Sequence, residues 1–230
     1  MERRPVGHGV FLSPLQPHVP EALHGLYLRA GKDMTHEDRH LGARLLADTY
    51  CDLLDACFVH LLAELGERRQ SRALTEAAKD IAEVKGKVRY YVSWVAGLLS
   101  GERISAVVRH FHGVVRRLER PEGAVACLVI DISPSVAANA RRIMKQMRSS
   151  DAGVDDVTLL ITQLFEDVLG QVVIVPKYLL NLNFVISKTL DGVIALVRAI
   201  FRRSVKRLGP ELTADVQPLV AAHLDRFLLV

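Results

Sequence analysis

The stretch that decides the fold runs from Val157 to Leu208 and reads VTLLITQLFEDVLGQVVIVPKYLLNLNFVISKTLDGVIALVRAIFRRSVKRL. It is the most apolar part of the chain. When residues 177–208 are placed about 100° apart, the charged ones fall on one narrow stripe and the rest of the circumference is aliphatic. A helix of this kind is buried in a large protein or lies in lipid. The stretch therefore predicts a helical hairpin that the rest of the chain covers.

Pro176 divides this hairpin into two halves. Because proline cannot donate a backbone hydrogen bond and pushes the preceding residue toward an extended conformation, we expect a break or kink near Val175. The second helix then runs from Lys177 to Leu208, where Gly209 and Pro210 end it. The five residues QVVIV, 171–175, are also compatible with a short strand, since periodicity alone does not separate the two.

The charges inside the hairpin argue against two membrane spans. A span needs about 20 predominantly apolar residues, and charged side chains within it are costly. Glu166 and Asp167 interrupt the first half, and Lys188, Asp191 and Arg198 interrupt the second. We therefore favour a buried central hairpin of a soluble bundle. A helix pair that reversibly contacts a membrane or a hydrophobic ligand is the next alternative.

The composition predicts an aliphatic helical core. Of the 230 residues, 50% are hydrophobic but only 6% are aromatic, and the net charge of +4 is too small to indicate nucleic acid. Three cysteines, Cys51, Cys57 and Cys127, show no metal-binding spacing, which is typical of reduced thiols. With no classical signal sequence, the expected location is cytoplasmic and possibly membrane-peripheral.

The remaining segments predict an all-α, single-domain bundle of about seven to nine helices around the hairpin 157–208. Residues 1–19, rich in proline and glycine, are expected to form an extended arm, and 20–230 the bundle domain. The run AVACLVIDI, 124–132, is compatible with a strand or a helix. Because only QVVIV offers a strand partner and two-stranded sheets are marginal, we favour helix there.

One metal-like pattern is present. His36, Glu37 and His40 lie on the first turns of a predicted helix, and histidines four apart share a helix face. A di-iron bundle needs a second Glu-x-x-His motif, and the chain has none. We therefore expect no metal and no cofactor, with these three residues as weak candidates.

Basic clusters form a second candidate site, for phosphate or lipid headgroups. They would matter if they converged on one face. The candidate residues are Arg116, Arg117, Arg141, Arg142, Lys145, Arg148, Arg202, Arg203, Lys206 and Arg207. Few aromatic residues accompany them, which makes nucleic acid the less favoured partner.

Motifs for nucleophilic catalysis, dinucleotide binding and phosphate cradling are absent from the sequence. The first functional hypothesis is therefore a non-enzymatic helical protein that acts through self-association or partner binding by apolar helix faces. The alternative is a helical binder of a hydrophobic ligand or an anionic membrane surface. A small-molecule enzyme with its site in the bundle is the weaker third.

Overall fold

A computed structural model describes residues 9–31, 34–98, 100–120 and 123–230. About three quarters of the chain is helical, which confirms the predominantly all-α class. The helices are α1 His18–Arg29, α2 His36–Leu54, α3 His60–Arg68, α4 Arg72–Gly97, α5 Gly101–Val114, α6 Pro134–Arg148, α7 Val154–Leu169, α8 Val175–Leu179, α9 Phe184–Leu208 and α10 Gln217–Asp225. The strands are β1 Gly9–Pro14, β2 Val115–Arg120, β3 Gly123–Ile132 and β4 Leu228–Leu229.

A small antiparallel sheet corrects the prediction of a helix over 124–132. Those residues lie in β3, and the strand order is β2-β3-β1-β4. The partners are β2, which begins directly after α5 at Val115, and β1, which forms from the predicted arm. The sequence does not indicate these two partner strands, because β1 pairs over a long sequence separation and β2 follows α5 without a turn signal.

The chain does not break near Val175, and the alternative of a strand at 171–175 is wrong; the helix is instead irregular just before Val175. Gly170–Ile174 is a π-helical turn that joins α7 to α8, so the chain stays helical from Val154 to Leu179. The wider turn accommodates Pro176, as π-bulges do elsewhere. The reversal comes later, where Asn181 has a φ of 43° and Asn183 caps α9 by accepting from the amide of Ile186 at 3.0 Å.

Other helix ends follow the sequence closely. Thr35 and Asp38 form the reciprocal capping box at the start of α2, with the Asp38 amide donating to the Thr35 hydroxyl at 3.1 Å. Ser133, directly before Pro134, makes no side-chain hydrogen bond to the first turn of its own helix. Its hydroxyl and its amide both donate to Asp167, at 2.9 and 2.8 Å, and thereby tie the start of α6 to α7.

The hairpin is exposed at its turn and becomes buried further along its two helices. By length and composition alone, Val154–Leu179 could cross a membrane. In the structure its Glu166 accepts from Arg198 at 2.9 Å and from Arg202 at 3.0 Å, which holds α7 against α9. The buried side chains of α9 begin at Ile194, whereas Phe184 and Val185 are exposed.

Helices α4 and α9 run antiparallel. Ser204 Oγ, late in α9, donates to Asp80 early in α4 at 2.8 Å, and Arg207 contacts the same carboxylate at 3.0 Å. On its other side α4 packs on α2, where Lys85 pairs with Asp55 at 2.6 Å. The C-terminal end of α4 therefore lies beside the N-terminal end of α9.

Candidate functional site

An apolar cavity of about 270 Å³ lies between α2 and α4 on one side and α7, α8 and α9 on the other. Residues from β1 and α10, including Phe11 and Val220, line its inner end. Three separate clusters of buried apolar residues contribute to its wall: the main core, one between α3 and α4, and one between α4 and α9. The space lies where these clusters meet without interlocking.

The residue types in the wall explain why the space is not filled. Most of the lining is valine, leucine, isoleucine and alanine, and some of its rings, such as Phe58 and Phe165, pack against the neighbouring ring of Phe201. Ala43 and Ala77, which face the cavity from α2 and α4, carry only a methyl group. Protein interiors are normally packed as densely as organic crystals, so a gap of this size is exceptional.

One end of the cavity lies beside the turn between α8 and α9. Lining residues at that end are only half-buried, among them Tyr91 and Ala96 of α4 and Leu180, Leu190 and Val193 of the hairpin. At the opposite end Ile81, Leu212 and Val220 are buried. This end is therefore one place where a ligand could enter, and the lining is likewise half-buried at Phe58, Leu61 and Leu208.

The π-helical turn leaves backbone carbonyls that side chains satisfy. The Val175 amide donates to the carbonyl of Gly170, which frees that of Gln171, and Pro176 has no N–H for the carbonyl of Val172. His110 Nε2 donates to Gln171 at 3.0 Å, and the Tyr50 hydroxyl donates to Val172. Burial raises the pKa of Tyr50, so its hydroxyl stays protonated. These bonds fix one wall of the cavity.

His223 is a polar side chain in the otherwise apolar wall. It is 1% exposed, and its Nε2 lies 3.1 Å from the carbonyl of Cys57. Since a carbonyl only accepts, Nε2 carries the proton and Nδ1 is the acceptor nitrogen. Among the described residues Nδ1 has no hydrogen-bond partner. Burial lowers the pKa of His223, which keeps the ring neutral.

Two further polar side chains of the wall, Lys177 and Ser204, have partners. Lys177 Nζ lies 2.5 Å from Asp191 at the mouth. Ser204 donates to Asp80, as described above. Burial raises the pKa of the Cys57 thiol, which is therefore protonated and unreactive. Thus the cavity presents hydrocarbon to a ligand almost everywhere, with charge only at the entrance.

The predicted metal candidates lie away from this cavity. His36 and His40 do meet, with their Nε2 atoms 3.1 Å apart at the start of α2. Within residues 9–31, 34–98, 100–120 and 123–230, however, no group of three potential ligands surrounds a common point, and Glu37 is exposed beside them.

The basic clusters are spread over three elements. Arg116 and Arg117 lie on the edge strand β2; Arg141, Arg142, Lys145 and Arg148 on α6; and Arg202, Arg203, Lys206 and Arg207 at the end of α9. Four of the ten pair with carboxylates of the domain: Arg142 with Asp156, Arg148 with Asp225, Arg202 with Glu166, and Arg207 with Glu76 and Asp80. These four act first as links between structural elements.

No pattern in the sequence singles out Tyr50, His223, Val168 or the cavity that they line. Comparison with family models, curated proteins and solved structures found no match for the chain. The functional argument therefore rests on the cavity itself.

Proposed function

We propose that this protein binds an apolar small molecule in the cavity between α2, α4 and the α7–α9 hairpin. The observation that carries the proposal is about 270 Å³ of space lined almost entirely by aliphatic and aromatic side chains. Ligand sites are typically concave, largely apolar and supplied with few polar groups, which matches this wall.

The energetic cost of such a space supports an occupant. At about 24 cal/mol per Å³ for an enclosed cavity, 270 Å³ left empty would cost at most on the order of 6 kcal/mol, and less where the space opens to solvent. A domain is stable by only about 5–15 kcal/mol in total, so the cost is comparable with the whole. A bound hydrocarbon would restore the dispersion contacts that the lining lacks.

The size of the cavity limits the ligand. A dry cavity of about 150 Å³ accommodates benzene, so 270 Å³ suits a compact molecule roughly twice that size or a medium-length alkyl chain. The opening near Leu180 and Leu190 would let a longer chain or a polar head extend outward.

The direct experiment is native mass spectrometry of the protein as isolated, followed by calorimetric titration of delipidated protein with decan-1-ol. We expect one molecule bound per chain. Val168→Phe, which fills part of the cavity, should weaken binding about tenfold, the equivalent of two lost methylene contacts. The proposal would be overturned if no adduct and no heat of binding were found, or if the variant bound decan-1-ol as tightly as the parent protein.

The hypothesis of a protein that works only through contacts stays a prediction from the sequence. A protein partner would need an exposed apolar face but not an internal space. The cavity therefore favours the hydrophobic-ligand alternative over the hypothesis placed first in the sequence analysis.

A further inference from the structure

The turn between α8 and α9 exposes large apolar side chains. Tyr178, Phe184 and Val185 are 73%, 75% and 72% exposed, the highest values among the large hydrophobic residues of the described chain. Leu179 beside them is 40% exposed. Isolated exposed apolar residues are ordinary, but a group of them in one turn indicates an interaction surface.

The last turns of α4 carry further aromatic residues, set back from the turn by about 9–15 Å along the helix axis. The bond between Ser204 and Asp80 sets the antiparallel register, so fourteen residues further along α4 Trp94 lies level with Leu190 of α9, about 21 Å away from that bond. Tyr90 is 64% exposed, and Tyr90, Tyr91 and Trp94 form a chain of ring contacts at 5.0 and 6.2 Å. We call Tyr90, Trp94, Tyr178, Phe184 and Val185 the aromatic end.

Cations accompany these rings. Lys188 Nζ lies 5.8 Å from the ring centre of Phe184, and Lys177 Nζ lies 5.7 Å from that of Tyr178. Lys177 is paired with Asp191, so Lys188 supplies most of the remaining positive charge at the turn. Tyrosine and tryptophan beside lysine or arginine are the residues that anchor proteins at the membrane–water interface.

We propose that the aromatic end docks onto an anionic lipid bilayer. Phe184 and Val185 enter the boundary between headgroups and acyl chains, while Lys188 lies at the level of the phosphates. A second copy of the chain fits this surface less well, because a symmetric contact would bring the same cations face to face. Docking in this orientation places the cavity mouth, at Leu180 and Leu190, against the lipid.

The test is co-sedimentation with vesicles of phosphatidylcholine, with and without phosphatidylglycerol. We expect binding that requires the anionic lipid and weakens with salt. The double variant Phe184→Ser/Val185→Ser should bind at least about tenfold more weakly, since it removes two inserted side chains. Lys188→Glu should reduce binding about fivefold or more through the lost surface attraction.

Leu159→Ser is the matched control. Leu159 is 50% exposed on α7, nineteen helical residues and therefore about 28 Å from Tyr178. It should bind like the unmodified protein, with all variants showing the same circular dichroism. Trp94, the single tryptophan, should shift its emission to the blue and be quenched by lipids brominated on their acyl chains.

Three results would overturn the inference. They are the absence of sedimentation with anionic vesicles, an equal loss of binding in Leu159→Ser, and a change of oligomeric state in the double variant without any lipid binding by the parent. A change of oligomeric state without lipid binding would show that the aromatic end contacts protein and not lipid. Val168→Phe should dock normally, so vesicle binding is tested independently of the cavity ligand.

Discussion

Filling the cavity from α7 tests whether the space is present. Val168 and Val157 are both buried on α7, but only Val168 lines the cavity. They are eleven residues apart, which places them within about 20° on the same helix face. Val168→Phe and Val157→Phe are therefore the same substitution on one helix, made once against a space and once against packed atoms.

The two variants should change stability in opposite directions. Phenylalanine exceeds valine by about 50 Å³, so at about 24 cal/mol per Å³ filling the cavity should raise the free energy of unfolding by about 1 kcal/mol. Val157 is fully buried within the main cluster, where overpacking typically costs about 1–3 kcal/mol. The expected gap between the variants is therefore about 2–4 kcal/mol.

Equilibrium unfolding in urea, followed by circular dichroism, measures this gap. The protein must be delipidated first, because a bound ligand stabilises the parent chain by mass action and would hide the gain. If Val168→Phe loses as much stability as Val157→Phe, the wall is already packed around residue 168. That result would refute both the cavity and the energetic reasoning for an occupant.

Three further outcomes follow from individual contacts. Tyr50→Phe should lower the free energy of unfolding in urea by about 1–3 kcal/mol, because the buried carbonyl of Val172 loses its donor. In a chain that also carries Pro176→Ala, which returns an amide to the helix, the same substitution should cost less. An equal cost in both backgrounds would contradict this account. His223 titrates below its ordinary pKa of about 6.5, so the unfolded chain binds the proton first and stability should fall as pH drops below about 7, by no more than about 1.4 kcal/mol per pH unit. His223→Phe should remove that part of the slope in parallel unfolding curves. Glu166→Gln should cost about 1 kcal/mol or less by the same assay, because its arginine partners are partly exposed.

Local signals in the sequence predicted the helical part of the fold. Thr35 begins α2 as its residue type suggests, and Gly209 follows the last residue of α9. The apolar stretch from Val157 does form a hairpin, and its α9 packs on α4 through Val84, Val197 and Ile200. These features depend on neighbours a few residues away, which periodicity and capping preferences describe well.

The sheet and the cavity depend on distant residues and were harder to foresee. Residues 124–132 form a strand because Gly9–Pro14 lie beside them, a pairing across more than a hundred residues. Pro176 does not break its helix because the π-helical turn and Tyr50 satisfy the freed carbonyls. A cavity is the volume that many side chains together fail to fill, and no single motif encodes such a sum.

Strand β1 has a consequence for how the chain reaches this structure. It lies between β3 and β4, and its Leu12 amide donates to the carbonyl of Phe227 at 2.7 Å. Strand β1 thus completes its pairing only with residues near the end of the sequence, and such non-local contacts slow folding. On the ribosome, Phe11 and Leu12 would be exposed long before Leu228 is synthesised, so the apolar β1 segment is where a chaperone would be expected to bind the nascent chain.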